Sequence, residues 1–183
     1  MGANVQETNI KGAFLVEPQK FGDDRGFFTE SYRRDWIPGA REVIQTNRSS
    51  KSAGALAGFH YHLHQSDYWY VPFGEARSVI YDMRVGSPTE GEIYSVDLTG
   101  DNNLGLYIPP GVAHGFSATT DMILTYLVDN YYNQADELGV AWDDKMISAE
   151  WSVQDPIVSA RDSANPTLDE IDITKMPVWP LRM

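Results

Sequence analysis

The chain has 183 residues, 42% hydrophobic and 22% charged, a size and balance that fit one globular domain spanning 1–183 with a full core. Its net charge of −12 argues against nucleic acid as a partner, because that affinity needs a basic face to displace counterions. Zero cysteines exclude disulfides and thiolate chemistry; no secretory pattern or membrane-length apolar run is present, so a cytoplasmic location is expected.

In chain order, Ala13–Val16 is the first short run rich in β-branched and aromatic residues. Phe28 to Trp36 then reads as a short helix. Further strands are expected at Ser78–Tyr81, Ile93–Val96, Leu104–Ile108 and Ile123–Val128. Gly74, Gly86-Ser87-Pro88, Gly100-Asp101-Asn102 and Pro109-Pro110-Gly111 punctuate them as turns. Asp143 to Glu150 reads as a second short helix, and the tail after Ile157, with Pro166, Pro177 and Pro180, as irregular packing over the barrel. Regular short strands with such turns favour a sandwich or barrel over a βαβ sheet. The expected fold is all-β: a jelly-roll barrel with short peripheral helices and an irregular C-terminal tail.

All four histidines fall in two clusters, Gly58-Phe59-His60-Tyr61-His62-Leu63-His64 and Pro109-Pro110-Gly111-Val112-Ala113-His114-Gly115-Phe116. Histidine serves both proton transfer near neutral pH and metal ligation, so the neighbouring residues must separate the two uses.

Several blocks resemble the dTDP-4-dehydrorhamnose 3,5-epimerase family: Glu17 to Phe28, which contains Phe21-Gly22-Asp23-Asp24-Arg25-Gly26-Phe27-Phe28, then Gln45-Thr46-Asn47, Leu56-Ala57-Gly58-Phe59-His60-Tyr61, Tyr107 to Phe116, Asn130-Tyr131-Tyr132 and Ser159-Ala160-Arg161-Asp162. The resemblance runs in order from about residue 10 to 170. It implies a cupin jelly roll, a homodimer, no cofactor, and epimerisation at C3 and/or C5 of a nucleotide-linked 4-keto-6-deoxysugar. That chemistry removes a proton α to a ketone and returns one on the other face, which requires a base, an acid and donors to the enolate oxygen. By resemblance His60 is the base, Asp162 orients its ring, and Tyr126 is the acid. His114 helps orient the keto oxygen, Arg25 contacts the diphosphate, and Glu30, Gln45, Asn47 and Tyr132 line the sugar and base pockets.

Two departures stand out. Ala57 replaces the family's phosphate-assisting arginine, and Asp67, seven residues before Gly74, replaces the lysine beside the enolate oxygen. A carboxylate there reverses the field beside a developing anion. The spacing His60-x-His62, then Asp67, then His114 also resembles the motifs of metal-binding cupins, which makes His60, His62, Asp67 and His114 a candidate set for a divalent metal. Two further readings follow: a metal-dependent cupin isomerase or oxygenase, and a non-catalytic sugar-nucleotide-binding homologue.

Overall fold

The computed structural model describes residues 2–180. In chain order the strands are β1 (Ala3–Glu7), β2 (Phe14–Pro18), β3 (Lys20–Asp23), β4 (Gly26–Thr29), β5 (Gln45–Lys51), β6 (Ala55–Tyr61), β7 (Asp67–Phe73), β8 (Glu75–Asp82), β9 (Ile93–Thr99), β10 (Gly105–Ile108), β11 (Val112–Ala118), β12 (Met122–Val128), β13 (Leu138–Gly139) and β14 (Ile157–Val158). One sheet runs β1-β2-β10-β7-β12-β5 and the other β13-β6-β11-β8-β9, with β14 added parallel to β6. Every other pairing is antiparallel. The expected strands are all present. The cupin jelly roll is the fold, because two antiparallel sheets bury one face of each against the other.

The space between the sheets is filled at one end. Trp69, Val71, Ile80, Leu98, Leu106, Phe116, Met122 and Leu124 form that core, drawn from both sheets. A second cluster covers the outer face of the β6-β11-β8 sheet: Phe59, Tyr61, Val79 and Ala113 pack under Ile147, Trp151, Leu168, Ile171 and Met176. The tail after Ile157 thus lies over the barrel as expected, in 3-10 turns at Asp162–Ala164, Leu168–Glu170 and Ile173–Lys175.

The two expected helices are corrected. Phe28 and Thr29 end β4, and only Arg34–Trp36 winds, as one 3-10 turn. Phe28, Tyr32 and Trp36 stand at helical spacing, yet Phe28 is exposed on the β3–β4 hairpin while Tyr32 and Trp36 pack against the outside of the first sheet beside Tyr68. Asp143–Glu150 is a turn rather than a helix: the Asp144 carboxylate accepts from the backbone N–H of Met146, Ile147 and Leu168, and Ser148 at φ 52° breaks any helical run.

Candidate active site

The end of the barrel not filled by the core opens as a cavity of about 390 Å³. Residues of β5, β6, β7, β11 and β12 line its wall. On β5 the side chains alternate between half-buried and exposed, so Gln45, Asn47, Ser49 and Lys51 all turn toward the cavity. On β6 the alternation slips. His114 pairs with His60, but Phe116 pairs with Ala57, so β6 carries one extra residue against β11. Gly58 occupies the slip at φ 126°, and a Cβ there would meet the Gly115 Cα at 2.6 Å. Only glycine permits that approach. The bulge puts Ala57, His60 and His62 on the cavity face while Phe59 and Tyr61 go into the outer core.

His60 Nε2 lies 2.7 Å from Asp162 Oδ1, and the other carboxylate oxygen accepts from the Gly58 N–H. Asp162 is itself seated by the Ser159 hydroxyl, which accepts its backbone N–H. Burial opposes ionisation of Asp162, but the bonds from His60 and Gly58 outweigh it and hold the carboxyl below its ordinary value. A charged partner therefore backs the His60 ring, which is half-buried at the cavity wall.

Across the cavity, on the other sheet, stands Tyr126 of β12. Burial, then the nearby carboxylates of Asp67 and Glu137, push its phenol upward. It is protonated at neutral pH and able to donate. Base and acid candidates thus face each other from opposite sheets.

Deeper in, His62, Asp67 and His114 converge: one donor atom from each lies within 4.8 Å of the others. The expected four-ligand set is corrected here. His60 is not part of the converging group, because its Nε2 is committed to Asp162. His62 Nδ1–H donates to the Asp136 carbonyl at 2.8 Å and His114 Nδ1–H to the Val112 carbonyl at 3.0 Å. Burial pulls His114 down to about 4, with Asp67 opposing and the other two imidazoles assisting, so it is neutral at pH 7. A neutral ring with Nδ1–H in use has a bare Nε2, which accepts and cannot donate to a keto oxygen. Asp67 accepts from the Gln65 amide at 2.9 Å and from the Trp69 indole at 3.0 Å.

Of the residues expected at the site, His60, His114, Tyr126, Gln45, Asn47 and Tyr132 line the cavity, and Asp162 supports it from behind. Arg25 and Glu30 do not reach it within the chain. Arg25 sits on the β3–β4 hairpin with its side chain 90% exposed and paired to Asp23, and Glu30 faces Arg33. Among the lining residues that were not foreseen are Lys51, Gln65, Asp136 and Glu137. Lys51 was findable, because it shares strand parity with Gln45 and Asn47. Glu137 was not, since the cation that pairs with it, Arg161, lies 24 positions away and donates at 2.6 Å.

Fold and pocket define a cupin-type barrel equipped for proton chemistry on a bound ligand. A family model described as dTDP-4-dehydrorhamnose 3,5-epimerase matches residues 7–170, and the chain belongs to that family of isomerases. A relative of that name from Shigella flexneri is 38% identical over 167 residues, 87% of this chain and 92% of its own length. The dTDP-6-deoxy-D-glucose-3,5-epimerase from Legionella pneumophila, solved with dTDP-4-keto-L-rhamnose, superposes with TM-score 0.91 at 31% identity, over 97% of this chain and 99% of that one. A 3'-monoepimerase from Streptomyces bikiniensis, solved with dTDP-quinovose, gives 0.85 at 31%, over 93% and 91%. These likenesses support the epimerase reading and not the oxygenase or non-catalytic ones. No helix of the described residues is long and apolar enough to cross a membrane.

Proposed function

We propose that the protein epimerises C3 and/or C5 of a thymidine-diphosphate-linked 4-keto-6-deoxysugar, by proton removal and return through an enolate. The observation that carries this is the His60–Asp162 pair at 2.7 Å, facing Tyr126 across the cavity. His60 takes the α-proton, and the Asp162 carboxylate behind it stabilises the imidazolium that forms. Tyr126 returns a proton from the opposite wall, which inverts the carbon. Gln45, Asn47 and Tyr132 hold the sugar and base: Gln45 donates to Asn47 at 2.9 Å and accepts the Tyr132 backbone N–H, so the three move as one surface. No organic cofactor enters this scheme.

The diphosphate is assigned to Lys51. It is the one lysine or arginine on the described cavity wall, it makes no ion pair among the described residues, and it stands beside Ala57. The missing arginine at Ala57 is thus answered from the neighbouring strand. Arg25 and Glu30 belong to a second copy's site in this reading. The β3–β4 hairpin that carries Arg25 exposes Phe21, Phe27 and Phe28 to 40%, 56% and 57%, an apolar arm suited to a homodimer. The same reading places a protein without cysteines in the cytoplasm, where sugar nucleotides are made and used.

The test is solvent deuterium uptake at C3 and C5 in a panel of nucleotide 4-keto-6-deoxysugars. Uptake at one or both carbons, lost in His60→Ala, is expected. Absence of uptake from every member of the panel with the wild-type protein would overturn the proposal.

A further inference from the structure

We propose that His62, Asp67 and His114 bind a divalent first-row transition-metal ion at the floor of the cavity. Three independent features point there. The first is convergence: one donor atom from each residue lies within 4.8 Å of the other two. An ion about 2.1 Å from each donor needs donors roughly 3–4 Å apart, a closure of about 1 Å that side-chain rotation supplies.

The second is the direction of the lone pairs. Both imidazoles spend Nδ1–H on backbone carbonyls, Asp136 for His62 and Val112 for His114, which leaves Nε2 as the ring nitrogen not engaged by the backbone. A second hydrogen bond of this kind fixes tautomer and ring orientation in metal-ligating histidines. The scaffold beneath is firm. The Asp136 carboxylate accepts the Leu63 and His64 N–H groups at 2.7 and 3.1 Å and so clamps the loop that carries His62. The Trp69 ring meets the edge of His114 at 5.2 Å between centroids.

The third is an unbalanced charge. Asp67 is 4% exposed, yet its two oxygens accept only from the neutral Gln65 amide and Trp69 indole, and no lysine or arginine among the described residues pairs with it. A buried carboxylate without a cation is costly, and a divalent ion removes that cost. Two imidazoles and one carboxylate suit zinc, cobalt, iron, manganese or nickel better than magnesium or calcium, which prefer oxygen donors. Three protein ligands leave positions open toward the cavity. Resting on the epimerase reading, the ion would face the developing enolate oxygen from the position where the family resemblance puts a lysine.

The experiment titrates Co²⁺ into chelator-dialysed protein carrying no histidine tag, and reads the visible cobalt absorption and the ion-to-chain ratio. One ion per chain at micromolar Kd or tighter is expected, with affinity about 100-fold or more weaker in Asp67→Asn and His62→Gln. His64→Gln, an exposed histidine outside the cluster, should titrate as wild type. No saturable cobalt signal from the wild-type chain would overturn the site, as would unchanged affinity in both cluster variants. This arm needs no substrate, so it decides the site even if the epimerase reading fails. Deuterium exchange with and without cobalt then tests the oxyanion role: stimulation of about tenfold or more supports it, and equal rates refute it.

Discussion

Two carboxylates are buried to nearly the same degree, Asp82 at 0% and Asp67 at 4% exposure, and they are treated in opposite ways. Asp82, at the end of β8, is surrounded: Arg84 Nε and Nη2 donate at 2.7 and 2.8 Å, and the Ser87 and Thr89 hydroxyls each at 2.6 Å. Arg84 spends its remaining reach on the Lys11 carbonyl and lies over the Trp179 ring at 4.7 Å. Burial opposes ionisation of Asp82, but these donors win and hold it below its ordinary value. This cluster ties the β8 end, the following turn and the tail together, since Val85 bridges Val178. Asp67 has two neutral donors and lies within 4.8 Å of one ring nitrogen from each of His62 and His114 at the cavity. A buried charge with a cationic partner is a fastener; one with only neutral donors beside a cavity marks a place for a ligand.

The comparison is tested most strongly at Asp82. Asp82→Asn strands the Arg84 guanidinium in the interior and should cost about 3–5 kcal/mol, or roughly 10 °C in melting temperature. The pH dependence follows from the sign of the shift. A depressed carboxyl contributes stability fully above its unfolded value of 3.8 and loses it as pH falls through the lower folded value. The stability gap between wild type and Asp82→Asn should therefore stay constant from pH 8 to about 5 and shrink below 3.8. Denaturant melts across that range measure it. A gap of under about 1 kcal/mol at pH 7 would mean that Asp82 fastens nothing.

The pocket should show the reverse pattern, large losses in rate with small losses in stability. His60→Ala should lower deuterium exchange by about 10²–10⁴-fold, the range for a general base, while the melting temperature moves by only a few degrees. Asp162→Asn keeps a hydrogen-bond partner for the ring but removes its charge, so a smaller loss in rate is expected. Asp67→Asn in metal-free protein should change stability by no more than about 1 kcal/mol, because no cation is left behind unpaired. A loss as large as that at Asp82 would make the two carboxylates alike and dissolve the comparison.

How much of this was legible beforehand divides along physical lines. Strands with apolar alternation, such as Ile123–Val128, announced themselves. Gln45–Lys51 did not, because it is polar on both faces: one looks at solvent and the other at the cavity. The helix expected at Phe28 to Trp36 came from true i, i+4 spacing of aromatics that serve two different surfaces. His60 and His62 could not be separated by sequence, since an H-x-H spacing on a strand puts both on one face. What separates them lies far away: Asp162, 102 positions on, takes His60, while the Asp136 carbonyl, 74 positions on, turns His62 toward Asp67. The −12 net charge did make any local cation on the cavity wall worth finding, and Lys51 is the one the fold supplies.

The smallest expected effect concerns that lysine. Lys51 is only half-buried at the cavity mouth, so water screens its attraction to a diphosphate, and its contribution should be near 1 kcal/mol. Lys51→Ala should accordingly weaken dTDP binding by about fivefold in calorimetry, with the loss fading as salt rises from 50 to about 300 mM. Turnover at saturating substrate should hold, because the proposed assignment puts Lys51 on the diphosphate and not on the reacting carbons, so the change falls in KM and spares kcat. Ala57→Arg gives the converse. It adds a guanidinium on the neighbouring strand and should tighten dTDP binding in the wild-type background and rescue Lys51→Ala. If Lys51→Ala binds dTDP as the parent does at low salt, the diphosphate lies elsewhere. The arm carrying Arg25 from the second copy of the proposed homodimer would then be the next source of positive charge to test, and in that case dilution to monomer should abolish binding.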